Sequence, residues 1–309
     1  MVDTTRSFDP SLGPTAAAAL ADDDLDLGPP PPLKQRVWQY AKRHPTVMIG
    51  FAILVAMALI SIAAPLLASD PLELNPIIRL KPPSAEFWFG TDFLGREVYA
   101  RVIYGGRISL TVGLAVAVIA TTVGLFIGLL AGYIRAVDAV VMRVMDGLMA
   151  IPGVLLAIAL ISLAGASVIN VIIAITIPEV PRVVRLVRAV VLTIREQPYV
   201  EAAVSVGTKL PKILWKHILP NTMAPLIVQA TYVCASAIVI ESILSFLGAG
   251  TPPEVPSWGN IMAEGRDYFQ IAPWMIFFPG LLLAITVLAV NILGDGLRDS
   301  LDPRIARRM

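Results

Sequence analysis

Six apolar runs dictate the architecture of this chain: Val47 to Leu67, Ile108 to Tyr133, Ala139 to Leu163, Ser167 to about Arg185, Thr222 to Leu247 and Pro273 to Leu293. A hydrocarbon core of ~30 Å is crossed by about 20 helical residues at 1.5 Å each, and each run reaches that length. The composition agrees: 56% of the 309 residues are hydrophobic, 15% are charged, and mean hydropathy is +0.75. Soluble domains carry about 25% charged residues. The expectation is an all-α polytopic membrane protein of about six spans.

The charges between the runs set the orientation. Lys34, Arg36, Lys42 and Arg43 precede the first run and place the N-terminus in the cytoplasm. The long connection from Ala68 to Arg107, with mixed charges, several prolines and Phe87, Trp88 and Phe89, then falls outside. Gly165-Ala166-Ser167 is uncharged, and Gly250 to Ala272 is mainly acidic, with Glu254, Glu264 and Asp267 against Arg266. Both are expected outside. Arg182, Arg185, Arg188, Arg195, Lys209, Lys212 and Lys216 crowd one loop, and Arg298, Arg304, Arg307 and Arg308 the C-terminal tail. Both of these belong in the cytoplasm, as six spans with both termini inside require.

Three stretches follow from this division: a tail at 1–33, a first span with its external loop at 34–107, and a core at 108–309. The tail combines Ala16 to Ala19, the acidic cluster Asp22, Asp23, Asp24 and Asp26, and Pro29 to Pro32. Such a segment buries too little apolar surface to offset its ordering entropy and is expected to be disordered. It reads as a solvated tail or as a contact for a partner subunit. It is not expected to be a signal peptide, because the first apolar run begins late and is too long.

Chemistry is sparse. Cys234 stands alone in an apolar run, and His44 and His217 lie far apart, so neither a disulfide nor a His/Cys metal site is expected. There is no G-x-x-x-x-G-K-[ST] and no H-E-x-x-H. The chain is expected to bind no cofactor and to catalyse nothing. A net charge of +1 gives no basis for a nucleic-acid partner.

Within the runs, Gly124, Gly128 and Gly132 form a G-x-x-x-G-x-x-x-G ridge, with Gly113 a few turns earlier. Such a ridge lets a neighbouring helix approach closely, or else provides a smooth wall for a path. Pro152-Gly153 near the start of the third run, and Pro178 and Pro181 in the fourth, are expected to bend or break their helices. Glu179 is an unusual carboxylate for an apolar run. Arg182 three residues on makes a local ion pair one reading; substrate or ion binding is the other. Glu241, late in the fifth run, either braces a turn near the outer face or lines the external end of a path.

Between the fourth and fifth runs lies YVEAAVSVGTKLPKILWKHILP, Tyr199 to Pro220. Its apolar residues recur at helical spacing: Tyr199, Val200, Ala203 and Val204, then Leu210, Ile213, Leu214 and Ile218. Lys209, Lys212 and Lys216 fall on the opposite face. Gly207 separates the two pieces, and Pro211 sits where a second helix can begin. A helix–Gly–helix element between two spans is a docking surface on one side of the bilayer; an amphipathic helix resting on lipid headgroups is the plainer reading.

This stretch also resembles the EAA loop of ABC importer permeases: Glu201-Ala202-Ala203, Gly207, then Leu219-Pro220. Three further segments resemble one branch of that family. They are Phe89 to Glu97 with Arg101 and Ile103 to Leu110; Glu241 to Gly248 with Pro252-Pro253 and Pro256 to Gly259; and Asn291 to Arg304. Together they resemble the second ("C") permease subunit of dipeptide, oligopeptide and nickel importers, over roughly residues 34 to 305.

The resemblance implies a type I importer permease in a bacterial inner membrane, beside a homologous permease, two ABC ATPases that carry ATP and Mg, and an extracytoplasmic substrate-binding protein. It implies that Tyr199, Glu201, Ala202, Ala203, Gly207, Leu219 and Pro220, in coupling helices at about 199–220, meet an ATPase subunit. Peptides are the implied substrate, with nickel, haem or another small solute as variants. Ile177 to Pro181 and His217 depart from the family pattern. Two other classes remain: an ion-coupled secondary transporter centred on Glu179, and an intramembrane enzyme, for which paired catalytic motifs are missing.

Physical readings accompany the motifs. Gly90-Thr91-Asp92 and Gly95-Arg96 suggest a tight, capped structure outside the membrane in which Asp92, Arg96, Glu97 and Arg101 pair. Trp258 is expected at the membrane interface. Gly294 and Gly296 suit the end of the last helix.

Overall fold

The computed structural model describes residues 45–301. The tail at 1–33, the basic flank from Lys34 to Arg43, and Arg304, Arg307 and Arg308 lie outside the described residues. No β-strand occurs among those described; a single isolated antiparallel bridge joins Thr91 and Glu97. The apolar runs are helices because lipid offers an open backbone no partner.

In chain order these are α1 (Pro45–Ile62), α2 (Val98–Tyr133), α3 (Arg135–Met149), α4 (Gly153–Ala164), α5 (Val168–Arg195), α6 (Pro198–Ser205), α7 (Leu210–Phe246), α8 (Trp258–Gly265) and α9 (Trp274–Leu301). α1, α2, α7 and α9 are long and apolar enough to cross a membrane. The third run is not one straight span. It divides into α3 and α4, which meet at 87°, and this bent pair supplies a fifth crossing element. The break falls at Ile151-Pro152, and the N-terminal half, α3, is amphipathic. α5 is 28 residues long but carries Glu179, Arg182, Arg185, Arg188 and Arg195, so it has the length to cross but not the apolar composition of the others. Pro178 and Pro181 do not break it; both sit inside one continuous helix.

The glycine ridge of α2 is a packing surface. A Cβ placed at Gly124, Gly128 or Gly132 would stand 2.5, 2.7 and 2.6 Å from the Cβ of Val183, Val187 and Val191 respectively. The matched steps of four show that α2 and α5 run parallel, backbone close to backbone, with the three valines buried. Between helices in lipid such close packing supplies the attraction that the hydrophobic effect does not. α7 crosses α2 in the opposite sense, its Ile238 filling the space above Gly113. α1 lies antiparallel to α9 across Gly50 and Gly296. Gly294 and Gly296 are therefore not a helix terminus, since α9 continues to Leu301. They are small because Thr231 of α7 and Val47 of α1 press on them.

Candidate functional site

α6 and the start of α7 form the helix–Gly–helix element, and local hydrogen bonding explains its sequence. α6 closes with two bonds: the Gly207 N–H donates to the Val204 carbonyl at 2.9 Å, and the Thr208 N–H to the Ala203 carbonyl at 3.0 Å. This is a Schellman ending, whose left-handed residue is Gly207 at φ +78°. Pro211 stands in the first turn of α7, where a missing N–H costs nothing. Leu214–Ile218 is a π-turn, with the Leu219 N–H reaching back to the Leu214 carbonyl. The adjacent Pro220 has no N–H for Lys216, so the ladder is already interrupted where it changes spacing.

Burial divides the element cleanly. Val200, Ile213 and Ile218 are buried in the same apolar cluster as the α2–α5 contact. Tyr199, Glu201, Ala202, Val204, Val206 and Gly207 face outward, Val206 being 80% exposed. Ala203 and Leu219 are half-buried, and Pro220 is exposed. Glu201 occupies the first turn of α6, where a carboxylate suits the helix dipole, and has no ion-pair partner among the described residues. Arg195 ties the end of α5 to α2 by donating to the Gly132 carbonyl at 3.3 Å. Arg188 makes a two-pronged pair with Asp138 of α3, and Arg185 meets Asp146 at 2.6 Å. The loop is thus a projection on a base braced by three arginines.

Glu179 is buried in mid-α5. Arg182 Nη1 donates to its two oxygens at 3.0 and 3.3 Å, and Ser236 Oγ of α7 donates at 3.1 Å. The local ion pair therefore forms. It borders a cavity of about 250 Å³ at the α3–α4 bend.

The opposite end of the bundle carries a second constellation. Asp92 accepts from Arg96 at 2.6 Å and Arg101 at 3.0 Å, and both arginines also reach Glu264 of α8. The Asp92 Oδ1 also accepts the N–H groups of Leu94 and Arg96, which closes the turn opened by Gly90 and Gly95 at φ +73° and +77°. Glu97 takes no part; it accepts from Ser69 at 2.8 Å. Glu264 lies 163 residues from Arg101, and no local spacing pointed to it. Trp258 is not an interfacial anchor. It is fully buried against Gly106, its indole N–H donating to the Val102 carbonyl at 3.0 Å.

Glu241 is also fully buried, where it accepts from Ser109 of α2 at 3.1 Å and Ser245 at 2.8 Å, with Ser242 at 3.4 Å. It braces the α2–α7 contact beneath the turn in which Gly250 and Gly259 close on Ser245 and Ser242. No group of His, Cys, Asp or Glu among the described residues is arranged to hold a metal ion.

Comparison with known proteins fits this geometry. Residues 108–307 match the family described as binding-protein-dependent transport system inner membrane component, and residues 32–83 match the N-terminal TM domain of oligopeptide transport permease C. A Sinorhizobium fredii protein described as a probable peptide ABC transporter permease is 58% identical over 88% of this chain and 94% of its own. The dipeptide transport system permease protein DppC of Alkalihalophilus pseudofirmus is 43% identical, covering 89% and 94%. The oligopeptide transport system permease protein OppC of Bacillus subtilis is 38% identical, covering 84% and 86%. Among solved structures, an inward-facing MetNI methionine ABC transporter shares the fold at a TM-score of 0.51 and 20% identity, over 65% of this chain and 96% of that one. With the match spanning α2 to α9, this multi-pass membrane chain belongs to the family of binding-protein-dependent transport system inner membrane components.

Proposed function

We propose that this chain is one of two homologous permease subunits of an ATP-driven importer of di- and oligopeptides, seated in a bacterial inner membrane with both termini in the cytoplasm. The observation that carries the reading is the α6–Gly207–α7 projection. Its inner face (Val200, Ile213, Ile218) is locked into the bundle, while its outer face (Tyr199, Glu201, Ala202, Val204, Val206) is bare. A bare apolar patch around an unpaired carboxylate is a surface for a protein partner. The partners proposed are two ABC ATPases, which carry ATP and Mg, and on the other side a substrate-binding protein meeting the Asp92–Arg96–Trp258 end. The peptide names of the relatives over almost their whole length support the substrate class.

The mechanism follows from rigidity. Closing of the ATPase pair on ATP moves α6, and α6 cannot move alone because its Val200 is buried in one apolar cluster with Ile194 of α5 and Ile213 of α7. α7, with its one π-turn, runs from the projection past the Glu241 brace, ~46 Å from Leu210 to Glu241 at 1.5 Å per residue. The motion therefore reaches the far end as a tilt of packed helices, a two-state element biased by a nucleotide on another chain.

The test is co-purification and ATPase activity of the assembled complex with Glu201→Arg. Loss of ATPase-subunit binding, or of substrate-stimulated hydrolysis, with membrane insertion intact supports the reading. Normal assembly and transport would sink it.

A further inference from the structure

Arg182 sits where a cation facing lipid is strongly disfavoured. It lies ~21 Å along the ~42 Å of α5, counted at 1.5 Å per residue. Val183 next to it packs on Gly124 inside the apolar run from Ile108 to Tyr133 of α2, so Arg182 stands at the depth of that run rather than in the cytoplasmic loop to which its charge assigned it. Its side chain is nevertheless 55% exposed. Pro178 and Pro181 have no N–H, so the Ala174 and Ile177 carbonyls lose their α-helical donors. Such carbonyls are tolerated at membrane depth only inside protein or against water. Ala174 and Pro181 are buried within protein, and the guanidinium of Arg182 borders the 250 Å³ cavity that the bend between α3 and α4 opens.

The guanidinium is committed on one side only. Nη1 is held by Glu179, itself buried and fixed by Ser236. The Nε and Nη2 groups have no protein partner among the described residues. Their two N–H bonds lie in one plane, parallel, at the spacing of the two oxygens of a carboxylate. Building on the importer reading, we infer that this edge of Arg182 receives the free C-terminal carboxylate of a peptide in transit, with Glu179 as the positioning residue. Because Glu179 already balances the guanidinium's charge, the incoming carboxylate is oriented without being trapped, as a path requires.

The experiment uses proteoliposomes holding the complete complex: this chain, its partner permease, the ATPase subunits and the substrate-binding protein. Uptake is measured for a labelled tripeptide with a free C-terminus and for its C-terminal amide, each variant being referred to wild type so that the binding protein's own preference cancels. Arg182→Gln is expected to lower uptake of the free acid about tenfold and to leave the amide within about twofold. Arg182→Lys, which keeps the charge but not the two-pronged edge, is expected to fall between and serves if the glutamine variant fails to assemble. Glu179→Gln leaves the guanidinium uncompensated, so KM and kcat for the free acid should fall together while those for the amide stay put.

Equal losses for acid and amide in the Arg182 variants assign the residue to the contact with the partner permease and overturn the inference, as does no loss for either. Both outcomes leave the importer reading intact. If wild type carries only the free acid, the Glu179→Gln comparison decides, and unchanged KM and kcat overturn the inference. A wild-type complex that takes up neither peptide under ATP overturns the importer reading and this one with it.

Discussion

At the scale of single residues, two positions are governed by backbone or burial rather than by chemistry. Gly207 holds φ +78° with open space around it, so a side chain there meets no neighbour; the cost is purely conformational. For an L-residue that cost is about 1–2 kcal/mol. Gly207→Ala is therefore expected to loosen the end of α6 and weaken ATPase-subunit binding several-fold without disturbing membrane insertion, as read by pull-down from solubilised membranes. Arg101 is fully buried, its charge met by Asp92 and Glu264 and its Nε without an acceptor. Removing one carboxylate from a buried pair typically costs about 3–5 kcal/mol. Glu264→Ala should accordingly lower the thermal stability of the purified protein sharply, whereas Glu97→Ala, which loses only an exposed contact with Ser69, should leave it unchanged.

At the scale of elements, the α2–α5 pair is the spine. Three glycines on one helix receive three valines from the other in parallel register, and a Cβ at any of the three glycines would stand within 2.7 Å of a valine Cβ. Gly128→Ala would set a methyl group 2.7 Å from the Val187 Cβ, and overpacking of this kind costs about 1–3 kcal/mol. The expected outcome is a lower melting temperature in detergent for Gly128→Ala and failure to accumulate for Gly128→Leu. Gly147→Ala on α3, where nothing stands within 4 Å, should behave as wild type. α5 combines this tight row with an arginine-rich edge. The helix is held on one side by packing and presents Arg182 and Arg185 on the other.

For the whole molecule, the two constellations lie at opposite ends of the bundle: the α6–α7 projection at one, the Asp92–Arg96–Arg101–Glu264 network and Trp258 at the other. α7 connects them. The proposed topology can be tested directly in a Cys234→Ser background with cysteines introduced at Ala202 or Glu73, both exposed. A membrane-impermeant thiol reagent should label Glu73→Cys in intact cells and Ala202→Cys only after the membrane is inverted. Labelling of Ala202→Cys from outside would overturn the proposed orientation and the ATPase contact together.

What the sequence by itself determined is what depends on short stretches of chain. Run length and polarity fix which segments cross lipid, because the bilayer sets one thickness for all of them. The positive φ of Gly207 and the proline in the first turn of α7 follow from local backbone geometry, so the helix–Gly–helix element was legible before any packing was known. The Glu179–Arg182 pair, three residues apart on one helix, was legible for the same reason. Only the tertiary structure decided that the glycine ridge faces the valines of α5, that Gly294 and Gly296 serve helix crossings, and that Trp258 is buried. The same holds for Glu264, which completes the charge network from 163 residues away, for the 87° turn between α3 and α4, and for the outward edge of Arg182. These depend on which helix lies against which, and close packing between distant segments leaves no periodicity along the chain.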